Sequence, residues 1–176
     1  MEKTVRSNND VTPYKKCAVE FQAFRDNQDR YIIKELVFLD LSTHVLNYFL
    51  FKPPFPFKLL NRKSARTNVW LAKNLHYIRW DEGFTHYMEL NNIMNHYCQQ
   101  YDEIYTCGNE KSTWIQKYCD SKVINLTLNK TLATQFNGLC IGVKNPQHKM
   151  GCCAMSRAYR IGYVVSCGGG NGYITL

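Results

Sequence analysis

The sequence has no apolar run of membrane-spanning length. The longest candidate, Val45 to Phe51, is interrupted by Asn47 and falls far short of the roughly 20 residues a spanning helix needs, so it reads as a strand and no membrane association is expected. Met1 to Asp10 is polar and carries no apolar core of a secretory signal, so the expectation is a cytoplasmic or nuclear protein, not a secreted one. Eight cysteines are present without a single Cys-x2-Cys pair. In a reducing compartment such cysteines serve as core residues, metal ligands or redox groups rather than as a disulfide framework. There is no nucleophile-elbow sequence, and the one glycine run, Gly168 to Gly172, precedes no helical pattern, which argues against a phosphate-cradling loop. Acidic residues are scarce: 14 Asp and Glu face 22 Lys and Arg, a formal charge of +8, which favours a polyanionic partner.

What is present fills one domain. A chain of 176 residues buries a core without staples, and no internal repeat or composition shift divides it. Residues 1–14 read as a disordered lead-in, 15–163 as the domain and 164–176 as a Gly-rich tail. Cys17 to Phe24 opens a β pattern, and Asp26 to Asp29 is a turn cluster. Tyr31 to Leu39 is a second strand rich in β-branched and aromatic residues, and His44 to Phe51 a third, stopped by the prolines at 53, 54 and 56. The period then changes. Residues 64–76 read as a helix opened by Ser64 or Thr67, with Trp70, Leu71 and Leu75 on its apolar side. A second helix is predicted for Thr85 to Tyr97, on the three- and four-residue recurrence of Tyr87, Leu90, Met94 and Tyr97. Tyr101 to Thr106 reads as a strand, Lys111 to Tyr118 as a helix, Val123 to Leu126 as a short strand and Cys152 to Tyr163 as a last helix. Three strands followed by alternating helices and strands imply an antiparallel meander extended by parallel crossovers, a mixed five-stranded sheet flanked by helices.

Two groups of residues carry candidate chemistry. Cys140 to Ala154 holds three cysteines and His148 within fifteen residues, and Cys and neutral His are preferred zinc ligands. The bland alternative makes those cysteines small buried hydrophobes. The second group is basic: Arg62, Lys63, Arg66 and Lys73 beside Trp70, and Lys149, Arg157 and Arg160 with Tyr159. Cations neutralise phosphates and aromatic rings stack unpaired bases, so the pattern suits RNA or single-stranded nucleic acid. The alternative is a solvated cationic face and a Trp70 packed into the core.

The element order and three short motifs resemble the DnaQ-type exonuclease branch of the RNase H-like fold. Glu20-Phe-Gln22 stands where that family carries Asp-x-Glu on its first strand. Asn109 to Thr113 stands at the second motif, with Thr113 near the expected Asp. His148-x4-Cys153-Ala154 matches the third motif, His-x4-Asp, with Cys in place of Asp. The resemblance implies an RNase H-like fold with strands 1–3 antiparallel. It also implies loss of the two-metal reaction, because paired hard cations need several carboxylates and a thiolate is the wrong donor. The set is similar to that of the Maelstrom domain of the animal piRNA pathway, a DnaQ-type fold whose acids are replaced by a zinc-binding Glu-Cys-His-Cys group. That similarity implies a structural zinc held by Glu20, Cys140, His148 and Cys153, with Cys152 competing for the last place. Asn145 stands where the upstream Cys is expected.

The expected function is therefore a catalytically degenerate nuclease-like domain that binds RNA or single-stranded nucleic acid. By analogy it would act in small-RNA silencing or its viral antagonism, with a silencing-pathway protein as a further partner. The alternatives are an active metal-dependent nuclease using residual groups such as Glu20, Glu35 and His148, and a protein-interaction module using the old groove or the Pro53 to Phe57 loop.

Overall fold

Asp26 folds the chain back on itself. Its carboxylate accepts the backbone N–H groups of Gln28 and Arg30, 2.8 Å each, and Asp29 takes the left-handed conformation at φ 62° that closes the turn. The turn joins β1 (Lys16–Arg25) to β2 (Tyr31–Asp40), which pair antiparallel. β3 (Leu46–Leu50) adds antiparallel to β2, while β4 (Glu103–Thr106) and β5 (Lys122–Asn125) continue parallel beyond β1. The result is a five-stranded mixed sheet of order β3-β2-β1-β4-β5. The structure is a computed structural model and describes residues 13–127, 142–143, 145, 147–148 and 153–167.

Both faces of the sheet are covered, which explains why β1 and β2 read as almost unbroken apolar runs. One face carries Val19, Phe21, Leu36 and Phe38 against α2 (Leu90–Cys98) and α3 (Asn109–Gln116). The other carries Ala18, Val37 and Leu39 against Ala158 and Ile161 of α4 (Ala154–Ser166). The β1–β2 register slips between Gln22 and Ala23, leaving Lys34 as an extra residue on β2. That lysine is fully buried, and its ammonium donates to the carbonyls of Phe51 and Trp80 at 2.6 and 2.9 Å and to that of Glu82. Burial pushes its pKa down to about 8, with Glu82 and Asp81 opposing the shift. Gly83, at φ 141°, lets this loop pass over Phe51 and Lys52, whose backbone a Cβ would strike.

α1 (Arg62–Asn74) differs from the sequence expectation in two ways. Its N-cap is Asn61, whose side chain accepts the Ser64 N–H, so the helix starts earlier than Ser64 or Thr67 would allow. Trp70 is not in a core: it is 57% exposed, and Leu75 is 41% exposed. The helix has almost no apolar anchor and is held by polar contacts instead. Asn68 is buried and pairs with both backbone groups of Arg25 at 2.8 Å, Ser64 Oγ donates to the Asp26 carbonyl, and Asn27 bonds the backbone of Leu59 and Asn61. α2 begins at Leu90 rather than Thr85, after a single 3-10 turn at Tyr87–Glu89. α4 runs to Ser166, so residues 164–166, expected in the tail, extend the helix, because buried Val164 continues the Ile161 side against the sheet core. Residues 1–12 and 168–176 lie outside the described part. No helix among the described residues is long and apolar enough to cross a membrane.

Asn68→Ala leaves two partly buried backbone groups of Arg25 unpaired. It is expected to lower stability by about 1–3 kcal/mol in urea denaturation, less than two full penalties of about 1–3 kcal/mol each because both groups are only partly buried. An unchanged midpoint would show that α1 is held some other way.

Candidate functional site

Two fully buried carboxylates lie on the α4 side of the sheet. Glu20 follows Ala18 on β1 with period 2, and Glu35 on β2 sits opposite Gln22, so all share the face that α4 covers. Their surroundings differ in kind.

Glu20 is saturated by donors. It accepts the Cys107 N–H at 2.8 Å, Thr106 Oγ1 at 3.2 Å, Arg157 Nε at 3.0 Å and the Lys111 ammonium. Burial by itself raises its pKa, but Lys111 and then Arg157 outweigh this and hold the carboxyl below its usual range. The same burial lowers Lys111, with Arg157 adding to that and Glu20 opposing it. One carboxylate thus faces two cations.

Glu35 faces an imidazole and a thiol. His148 Nε2 lies 3.1 Å and Cys153 Sγ 3.4 Å from Glu35 Oε1, while Glu35 Oε2 accepts the Ala154 N–H, the first of α4, at 2.8 Å. The carboxylate therefore also caps a helix N-terminus, where negative charge is favoured. His148 Nδ1 bonds the His76 carbonyl. A carbonyl cannot donate, so Nδ1 carries the hydrogen and Nε2 turns toward Glu35. Such an outer hydrogen bond fixes the tautomer in which Nε2 is a ligand. With Nδ1–H assigned, a proton or a metal ion has to lie between Nε2 and the carboxylate. His76 itself is buried and neutral: burial pushes its pKa down to about 3, with His148 and Lys34 adding to the shift.

Glu35, His148 and Cys153 form a buried cluster whose ligand atoms all lie within 4.8 Å of one another, a group that can hold a metal ion. The structure thus brings together His148 and Cys153 of the expected set, but not Glu20, which Lys111 and Arg157 occupy. Glu35 takes the carboxylate place. Cys140 and Cys152 lie outside the described residues. Asn145, at the place of the expected upstream Cys, shapes the turn that presents His148: its carbonyl accepts the His148 N–H at 3.2 Å and its side chain the Gln147 N–H at 3.0 Å. The signal for Glu35 was available, since Lys34 and Glu35 interrupt the middle of an apolar strand, and charged residues are rarely buried without a partner.

The basic candidates separate as clearly. Arg62, Lys63, Arg66 and Lys73 are all exposed on α1 and enter no ion pair among the described residues. At 100° per residue, Arg62, Arg66, Val69, Trp70 and Lys73 fall on one side of the helix. The second group does not form such a face: Arg157 is turned to Glu20, Arg160 is buried on α4 and Lys149 lies outside the described residues. Thr113 is exposed on α3. No protein-family model, curated protein or solved structure matches this chain.

Glu20→Gln removes the counter-charge of a buried lysine. The variant is expected to lose about 3–5 kcal/mol at neutral pH, the usual cost of breaking a buried pair. Glu20 has a lowered folded pKa, so its contribution is present above the unfolded value near 4.5 and is lost as pH falls through the folded one. The stability gap between wild type and variant should therefore close below about pH 4.5 in denaturation curves taken across pH. A gap independent of pH would contradict the ion-pair account.

Proposed function

We propose that this chain is a catalytically degenerate nuclease-like domain of RNase H-like, DnaQ-type fold that binds RNA or single-stranded nucleic acid and holds a structural zinc. One observation carries the binding half: the cationic face of α1, with Trp70 among its arginines, stands in solvent without a carboxylate partner among the described residues. Cations on such a face neutralise phosphates, and an exposed indole stacks on unpaired bases of any sequence.

Other features support the rest of the reading. A mixed sheet of three antiparallel strands continued by two parallel ones, flanked by helices, supports the fold half of the reading. The first-strand carboxylate is neutralised by Lys111 and Arg157, which leaves it no charge for a hard divalent cation. Glu35, His148 and Cys153 offer one oxygen, one nitrogen and one sulfur. Zinc bonds of about 2.0–2.3 Å place tetrahedral ligands roughly 3.3–3.7 Å apart. The spacings of 3.1 and 3.4 Å around Glu35 Oε1 are close to that. All three residues are fully buried, which suits a structural ion rather than one that meets substrate.

Affinity for a single-stranded 12-mer is expected to fall steeply with salt. Replacing Arg62, Arg66 and Lys73 together by Ala should reduce the slope of log K against log salt by about 2, at about 0.7 per phosphate contact. Neither Mg²⁺ nor Mn²⁺ should support cleavage. Cleavage that disappears in Glu20→Gln would establish an active nuclease instead, and a salt slope unchanged by the triple substitution would remove α1 from the interface.

A further inference from the structure

A small pocket of about 260 Å³ opens along one flank of α1, between Val69, Ala72 and Lys73 of the helix and the rings of Phe57 and Trp80. Its aromatic wall is fixed in place. Trp80 Nε1 donates to the Phe55 carbonyl at 3.2 Å, and the indole is packed against Phe24, Phe55 and Phe57 with ring centroids 5.2, 5.7 and 5.4 Å away. The volume lies below the roughly 300–1,000 Å³ of sites for drug-sized ligands, so it suits one planar ring system rather than a folded chain.

The charge around the mouth selects the kind of ring. Val69 and Lys73 belong both to the pocket and to the cationic side of α1, so a ligand entering here arrives beside Lys73, with Arg66 one turn away. Arg79 at the opposite rim is paired with Asp81, 2.6 Å away. The larger cleft of about 720 Å³ at the end of the β1–β2 hairpin has no excess of positive charge: Asp26, Asp29 and Glu110 balance Arg25, Arg30 and Lys117 along its lining, and Arg25 and Arg30 are paired with Glu110 and Asp26. A slot between the flank of α1 and an aromatic wall, with Lys73 at its mouth in no ion pair among the described residues, matches a flat apolar ring attached to a phosphate backbone.

We infer that this pocket takes one unpaired nucleobase of a single strand laid along α1, stacked on Trp80 and Phe57 while Lys73 and Arg66 meet the flanking phosphates. The inference rests on the nucleic-acid reading above and adds what that reading does not contain, a requirement for a base at one position. Duplex, in which the bases are stacked and paired, cannot meet it without base flipping.

The test compares three 12-mer probes by fluorescence anisotropy: oligo-uridine, an abasic strand of equal charge, and a duplex. In a Trp70→Ala background, which removes the exposed indole's own stacking, the protein is expected to bind the oligo-uridine about tenfold more tightly than the abasic strand, the worth of one stacked base. Ala72→Leu, which fills the slot, should bring that ratio to about one while leaving abasic affinity unchanged. Phe57→Leu, which removes one ring without closing the slot, should give the same loss, and carries the test if the first variant does not fold. A ratio that stays at tenfold in a folded variant would overturn the base pocket while leaving the electrostatic interface intact. Equal binding of duplex and single strand would overturn it as well. Absence of binding to all three probes, with capture of anionic lipid vesicles instead, would overturn both this inference and the nucleic-acid reading.

Discussion

Two carboxylates buried under one helix are the constraint around which this protein is built. An ionised carboxylate cannot be taken from water without a counter-charge or hydrogen-bond donors, and a central strand between two layers offers it no solvent. The chain answers the need in two ways. Glu20 recruits Lys111 from α3 and Arg157 from α4, tying helices on opposite faces of the sheet to the middle of β1. Glu35 instead caps the start of α4 and draws in His148 and Cys153, which ask for a proton or a metal ion between them. α4 is fixed by both: its first N–H by Glu35, and Arg157, one turn on, by Glu20.

That division separates structure from interaction. The α4 side of the sheet is closed, and its charges are satisfied internally. Four exposed cations that enter no ion pair among the described residues lie together on α1, a helix fastened at the hairpin end by Asn61, Ser64 and Asn68 rather than by a core. Polar fastening has a consequence: it frees the helix's remaining sides, so Val69 and Trp70 can stand in solvent beside Arg66 and Lys73 instead of being consumed by packing. Val69 is exposed because the pocket wall it forms is open, not because the helix is loosely attached.

Much of the fold was legible in the residues. Strand periodicity, β-branched content and the Asp26 turn gave the meander, and the change of period after Pro56 gave the helices. What periodicity could not supply was partnership. It placed Glu20 on the correct side of β1 but could not foresee that Lys111 and Arg157, 91 and 137 positions away in sequence, would reach it. The resemblance to the Maelstrom domain joins Glu20 to Cys140, His148 and Cys153, whereas Glu35, one strand over, lies beside the last two. The residue pattern puts Trp70 with Leu71 and Leu75 on an apolar side of the helix, yet the indole stands exposed. The buried polar contacts of Asn68 and Ser64, which replace an apolar anchor, leave no periodic trace.

The most direct test of this account is the metal content, by elemental mass spectrometry, of protein purified without chelator, for wild type, Glu20→Gln and Glu35→Gln. The account predicts one zinc per chain in wild type, kept in Glu20→Gln and lost in Glu35→Gln. Wild type without metal, or metal lost with Glu20 and kept without Glu35, would contradict it.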